Sequence, residues 1–145
     1  MTNETLHHVY LGLGTNLGQR EENMKHALQL INLRVGPLER VSSFVETDPW
    51  GFVSANKFLN ACCCCLTSLS PREALRVTQQ IERDLGRTHK SVNGVYHDRT
   101  IDIDILLYDD LHVDEPDLQI PHPHIGEREF VLQPLREIYD GQERW

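Results

Sequence analysis

Two aspartates stand at alternate positions in a segment with the pattern of a β-strand, and their spacing suits metal binding. Asp102 and Asp104 alternate with isoleucines between Arg99 and Leu106. Because strand side chains alternate, both carboxylates should share one face, roughly 7 Å apart, with the isoleucines on the other. Like charges so placed raise each other's pKa unless a cation lies between them, and hard oxygen ligands suit Mg²⁺. The alternative, a solvated edge face, does not account for the apolar opposite side.

A basic segment precedes this strand. Residues from Arg87 to Arg99 are polar, show no periodicity and contain Asn93-Gly94, which predicts an exposed, mobile loop of about 13 residues. The two arginines bracket that loop and could reach the same phosphates. Two Mg²⁺ ions ~4 Å apart, held by carboxylates, are a recurring means of neutralising a polyphosphate. The pattern therefore indicates phosphoryl-transfer chemistry.

Overall charge argues against a nucleic-acid partner. The 145 residues include 14 Lys and Arg against 22 Asp and Glu, a net charge of −8 that repels polyanions. A hydrophobic content of 39% suits one core, so we expect a single domain over residues 1–145. No apolar run approaches the ~20 residues that span a bilayer, and no helix shows a leftover apolar stripe. We therefore expect a cytoplasmic monomer without a membrane partner.

All four cysteines are consecutive, from Cys62 to Cys65. Alternate residues on an extended chain point to opposite faces, so four adjacent thiols cannot converge on one zinc ion. The run is instead interpreted as small buried hydrophobes in a central strand.

Hydrophobic periodicity and turn residues predict the elements that position these side chains. The sequence Ser70-Pro71-Arg72-Glu73 is a capping box with proline at the first helical position, and Gly86 ends that helix. The predicted order is β-α-β-β-α-β, an α+β ferredoxin-like sandwich with an antiparallel sheet, an extra short hairpin strand and a C-terminal helix. Its strands are His8–Leu13, Leu38–Glu46, Phe58–Leu66 and Thr100–Tyr108, with a short partner strand at Leu111–Val113; its helices are Gln19–Arg34, Pro71–Gly86 and Glu127–Ile138.

Several blocks in order along the chain resemble one enzyme family. They are Gly12 to Gly18, Ser42-Ser43, Glu46 to Pro49, Phe58 to Ala61, Gly86-Arg87, Arg99 to Leu106 and Pro121-His122-Pro123. Together they resemble the hydroxymethyldihydropterin pyrophosphokinases of folate biosynthesis. The resemblance implies transfer of a diphosphate from MgATP to the hydroxymethyl group of 6-hydroxymethyl-7,8-dihydropterin, with AMP as the second product.

The resemblance also implies roles for individual residues. Asp102 and Asp104 would bind two Mg²⁺ ions, and Arg87 and Arg99 would contact the transferring phosphates as further catalytic residues. The ATP contacts it implies are Gln79, Glu82, Arg87, Tyr96, Arg99, Ile105, His122 and Arg128. The pterin contacts it implies are Thr47, Asp48, Trp50, Phe58, Asn60, Asp102 and Phe130, with the ring between the two phenylalanines.

Each of these roles has a simpler alternative. On periodicity alone, Phe58 and Phe130 are core residues, and His122 is a loop histidine. Asn60 is different, because a carboxamide within an apolar strand needs partners when buried, and a pterin edge offers them. Rival functions are another Mg²⁺-dependent phosphotransferase, which would release ADP or pyrophosphate, and a non-catalytic ferredoxin-like binding module.

Overall fold

The main sheet has a long central strand flanked by strands that all run antiparallel to their neighbours. A computed structural model describes residues 5–47, 57–86, 100–143 and 145. Strand β1 (His7–Thr15) pairs with β4 (Phe58–Thr67) on one side and β5 (Asp102–Tyr108) on the other. Strands β2 (Leu38–Val41) and β3 (Val45–Thr47) both pair with β4. The resulting order, β2-β4-β1-β5, confirms the predicted ferredoxin-like arrangement.

Two helices cover one face of this sheet. Helix α1 (Arg20–Arg34) and helix α2 (Pro71–Gly86) bury an apolar stripe against β1, β4 and β5. The predicted capping box begins α2: the Ser70 backbone N–H donates to Glu73 Oε1 over 2.9 Å, and the Glu73 N–H donates to Ser70 Oγ over 3.2 Å. The isoleucines that alternate with the two aspartates lie in this core, as their spacing predicts.

The opposite face is covered over part of its length by a 3₁₀ turn (Ile125–Glu127) and helix α3 (Glu129–Ile138). The cysteine run divides between the two faces: Cys63 and Cys65 pack with the core under α1 and α2, whereas Cys62 and Cys64 pack under α3. All four thiols are free and buried, and burial raises the pKa of Cys62 to about 12 and that of Cys64 to about 11. The interpretation of the run as buried hydrophobes is confirmed.

The predicted strand from Leu38 to Glu46 is wrong as a single element, because it divides into β2 and β3. Between them, Ser42 bonds to β4: its N–H donates to the Cys62 carbonyl over 2.9 Å, and its Oγ accepts from the Cys62 N–H over 2.8 Å. Ser43 turns to α3, where its N–H and hydroxyl donate to the Glu137 carboxylate over 2.9 and 2.6 Å. These side-chain bonds replace a continuous ladder.

The predicted hairpin partner for the β5 strand is also wrong. Strand β6 (Val113–Glu115) pairs instead with β7 (Leu118–Ile120), forming a separate two-stranded sheet. The chain leaves β5 at Asp109, which adopts a left-handed φ of 46° and accepts the His8 backbone N–H over 2.8 Å. Arg72 of α2 then forms ion pairs with Glu115 and Asp117, which hold the hairpin against the helix.

Candidate active site

Two glycines of β1 open a groove between the strand that carries Asn60 and the strand that carries the aspartates. In the sheet register, Gly14 stands opposite Asn60 of β4 and opposite Asp102 of β5. Directly paired residues project from the same face of a sheet, so Asn60 and Asp102 flank Gly14 at a backbone separation of about 10 Å, twice the usual strand spacing. Gly12 stands in the same way between Cys62 and Asp104. The groove therefore has a carboxamide on one side and carboxylates on the other.

Gly14 lies inside β1, which runs to Thr15 and so extends beyond the predicted strand end at Leu13. Gly14 is not among the predicted site residues. A Cβ at this position would lie 3.2 Å from Asn60 Oδ1 and 3.5 Å from Phe58 Cδ1. The absence of a side chain therefore leaves the space that both residues border. A glycine inside a strand often marks such a close approach, which was the available signal.

Asn60 is buried, at 6% exposure, and its carboxamide is fixed by a neighbouring strand. Its Nδ2 donates to Thr47 Oγ1 over 2.7 Å and lies 3.5 Å from the Val45 carbonyl oxygen. Because the amide nitrogen is used within the protein, Oδ1 is the atom available toward Gly14, and it can accept a hydrogen bond there. Thr47 is paired with Phe58 in the β3–β4 ladder, so three of the predicted pterin residues lie together.

Carboxylates crowd the other side of the groove. Asp102 and Asp104 are partly exposed on β5, on the face opposite the isoleucines, as predicted. Glu82 of α2 approaches them and accepts the backbone N–H of Ile103 over 2.8 Å, between the two aspartates. The pKa of Glu82 is raised to about 8, chiefly by burial and also by the charges of Asp102 and Asp104, while the Ile103 hydrogen bond acts in the lowering direction. Such a concentration of negative charge favours a cation.

His122 lies after β7, and the chain around it returns to β5. Its backbone N–H donates to the Leu106 carbonyl over 2.9 Å, and its Nδ1 accepts the His124 N–H over 3.2 Å. Burial, with help from Arg128 and His124, lowers the pKa of His122 to about 4. A neutral imidazole that accepts at Nδ1 carries its proton on Nε2, so His122 can donate a hydrogen bond to an anionic ligand.

Arg128 and Phe130 lie at the start of α3. The Arg128 guanidinium carbon lies over the Phe130 ring, 5.7 Å from its centroid, which is a cation–π contact. Phe130 is partly exposed, as expected of a ring that is not a core residue.

Comparison with known proteins identifies the family. Residues 10–140 match the family model of the 7,8-dihydro-6-hydroxymethylpterin-pyrophosphokinases (HPPK). The chain belongs to this family. A 2-amino-4-hydroxy-6-hydroxymethyldihydropteridine pyrophosphokinase of Porphyromonas gingivalis is 50% identical over 131 residues, which cover 90% of this chain and 89% of that protein. The enzyme of the same name from Bacillus subtilis is 42% identical over 137 residues, covering 94% and 80% respectively.

The fold is also that of a solved HPPK domain. A crystal structure of a triple mutant of Plasmodium falciparum HPPK-DHPS superposes with a TM-score of 0.72 at 16% identity. The match covers 92% of this chain and 40% of that one, so the chain spans less than half of the Plasmodium protein. The predicted family, fold class and pyrophosphokinase activity are confirmed by these comparisons.

The remaining residues implied by family resemblance lie apart from the groove or outside the described residues. Gln79 is exposed on α2, and the Ile105 side chain is buried in the core on the other face of β5, which leaves only its backbone for ATP. Predicted contacts that fall outside the described ranges are Asp48, Trp50, Arg87, Tyr96 and Arg99, together with the predicted loop between the two arginines.

Residues 5–47, 57–86, 100–143 and 145 contain no cluster of three or more His, Cys, Asp or Glu side chains arranged to hold a metal ion. Within the same ranges, no helix is long and apolar enough to cross a membrane.

Proposed function

We propose that the groove over Gly14 is the active site for the reaction of the HPPK family: diphosphate transfer from ATP to 6-hydroxymethyl-7,8-dihydropterin in folate biosynthesis. The observation that carries the assignment is the register that places Asn60 and Asp102 on either side of Gly14. Asn60 can hydrogen-bond to a heterocycle, and Asp102 can bind the Mg²⁺ that accompanies the ATP phosphates. A single groove therefore brings the two substrates together.

The pterin would bind on the β4 side. Asn60 Oδ1 accepts an N–H from the pterin edge, while Thr47 holds the carboxamide nitrogen in place. Phe58 and Phe130 would stack on the two faces of the ring, where offset stacking adds ~1 kcal/mol beyond burial. Asp48 and Trp50 are proposed to complete the edge of the pocket.

ATP would bind on the β5 side with Mg²⁺. Asp102 and Asp104 supply hard oxygen donors, and a cation would offset the negative charge that they concentrate beside the buried Glu82, so the residues present fit the metal. Two Mg²⁺ ions are proposed, held by Asp102 and Asp104, with ATP phosphates and water as the other ligands. When bound, Mg²⁺ neutralises the polyphosphate charge.

The cationic and hydrogen-bonding residues around ATP would complete that charge balance. His122 donates from Nε2, and the positively charged Arg128 lies beside it. We propose further ATP contacts from Arg87, Arg99, Tyr96, Gln79, Glu82 and the backbone of Ile105.

The reaction itself is an in-line attack of the pterin hydroxymethyl oxygen on the β-phosphorus of ATP, in which the new O–P bond forms as the bond to AMP breaks. Positioning and charge neutralisation provide most of the catalysis in phosphoryl transfer. Asp104 is proposed to orient the attacking hydroxyl, since a metal-bound carboxylate is a weak base.

Incubation with MgATP and 6-hydroxymethyl-7,8-dihydropterin, followed by product analysis, tests the proposal. We expect AMP and a pterin diphosphate in equal amounts, with release of AMP dependent on both pterin and Mg²⁺. Release of ADP, or of AMP without pterin, would contradict it. The monomeric state and cytoplasmic location stay predictions.

A further inference from the structure

Arg20, the first residue of α1, joins the ends of two strands that enter the proposed pterin pocket. Its Nη1 donates to the Lys57 carbonyl oxygen over 2.9 Å, and its Nη2 donates to a Glu46 carboxylate oxygen over 2.8 Å. One guanidinium therefore contacts both β3 and the residue just before β4.

The contacted residues are next to two proposed pterin residues. Glu46 directly precedes Thr47, and Lys57 directly precedes Phe58; Thr47 and Phe58 are themselves opposite each other in the ladder. Arg20 thus bridges the two strands at the end where β3 finishes and β4 begins, one residue from Thr47 and one from Phe58.

The first turn of α1, which carries Arg20, is tied to the end of β1, the strand that forms the floor of the groove, by Asn23 Nδ2, which lies 3.4 Å from Thr15 Oγ1. The turn after β1 is held to α1 by Asn23, whose Nδ2 donates to the Leu17 carbonyl oxygen over 2.7 Å. The start of α1 therefore has a fixed position relative to Gly14, and Arg20 transmits that position to β3 and β4.

We propose that Arg20 is a positioning residue for pterin binding, an inference that rests on the proposed function. The planar guanidinium fork donates in two fixed directions, so it sets the spacing between the strand ends that carry Thr47 and Phe58. An exposed ion pair contributes little to stability, but small displacements within a binding site have large effects on affinity. The effect of Arg20 should therefore fall on pterin binding and not on folding.

Arg34 provides a matched control at the other end of the same helix. Its Nη1 lies 2.6 Å from an Asp84 carboxylate oxygen of α2, and its side chain is 39% exposed against 32% for Arg20. Loss of either arginine removes one charge and one ion pair from α1. Only Arg20 contacts residues adjacent to the pocket.

The test compares Arg20→Ala, Arg20→Lys, Glu46→Ala, the Arg20→Ala/Glu46→Ala double variant and Arg34→Ala by steady-state AMP release, calorimetry and thermal unfolding. Arg20→Ala is expected to raise the KM and Kd for pterin roughly 5- to 20-fold, with kcat and the KM for ATP within about twofold. Arg20→Lys should recover part of this loss because an ammonium can still contact one partner. The double variant should lose less than the sum of the single losses, since the residues act as a unit.

Several results would overturn the inference. They are equal effects of Arg20→Ala and Arg34→Ala on pterin binding, equal increases in the KM of both substrates, or a pterin affinity unchanged in Arg20→Ala. Absence of pterin-dependent AMP release by the unaltered enzyme would overturn the proposed function and this inference with it. An active enzyme with unchanged pterin affinity in Arg20→Ala would overturn this inference alone.

Discussion

Replacing Gly14 with alanine is expected to weaken pterin binding while leaving the fold intact. The added Cβ would lie 3.2 Å from Asn60 Oδ1, which is tighter than ordinary van der Waals contact, and 3.5 Å from the Phe58 ring. Asn60 has little freedom to move, because its Nδ2 is bonded to Thr47 Oγ1 at 2.7 Å. The methyl group would also occupy part of the groove.

The magnitude follows from these contacts. Shifting the carboxamide weakens a hydrogen bond of ~1 kcal/mol, and extra volume in a packed site adds a cost of similar size. A loss of about 1–2 kcal/mol corresponds to a roughly 5- to 30-fold weaker pterin affinity. Stability should change less, because alanine restricts the unfolded chain by about 0.5–1 kcal/mol relative to glycine, which offsets part of the strain.

Gly12→Ala is the matched comparison on the same strand. Its Cβ would lie 3.3 Å from Leu106 Cδ1, in the buried cluster under α3, and none of its nearest contacts is Asn60 or Phe58. Calorimetry would measure pterin affinity in the presence of a non-hydrolysable MgATP analogue, together with the affinity for the analogue alone. Only Gly14→Ala should weaken pterin selectively.

Two outcomes would refute this reasoning. If Gly14→Ala binds pterin within about twofold of the unaltered enzyme, the space over Gly14 is not part of the site. If both glycine variants weaken pterin and nucleotide alike, the effect is a general distortion of β1.

Three further predictions concern the proposed site. Asp102→Asn and Asp104→Asn should each remove most AMP release without unfolding the protein, because each deletes a ligand to a cation. Near-normal turnover in either variant would show that the two aspartates are not needed for the reaction. Phe58→Ala and Phe130→Ala should weaken pterin more than ATP in calorimetry, whereas equal losses would mark them as core residues. The pKa of His122 is lowered by burial, so the imidazole takes up a proton more readily in the unfolded protein than in the folded one. The free energy of unfolding should therefore decrease as the pH falls from about 6.5 to about 4. Urea unfolding of His122→Gln should accordingly show a smaller loss of stability over that range, and parallel curves would contradict the burial.

Features fixed by short-range patterns were predictable from the sequence. The capping box before α2 depends on Ser70 and Glu73, three residues apart, and it forms as predicted. The alternation of Asp102 and Asp104 with isoleucines required only the period of a strand. Both predictions rest on geometry that neighbouring residues determine.

Features that depend on distant partners were not predictable in this way. The break between β2 and β3 depends on Ser43 binding Glu137, which is 94 residues away. The floor of the groove depends on the register that aligns Gly14 with Asn60 and Asp102 at once. A one-residue shift would move these side chains to the other face, and no local pattern specifies the pairing of all three strands.

Because the four cysteines of β4 are buried, the rate of thiol labelling can report how often this strand separates from the sheet. A thiol-specific reagent attacks the thiolate of an accessible cysteine, and the raised pKa values of Cys62 and Cys64 keep these buried thiols protonated at neutral pH. Labelling therefore requires the strand to leave the sheet, so its rate measures how often that happens. Asn60 lies on the same strand, and a ligand held there should slow the labelling in proportion to its occupancy. Substrate binding can thus be followed by thiol protection, without any catalytic turnover.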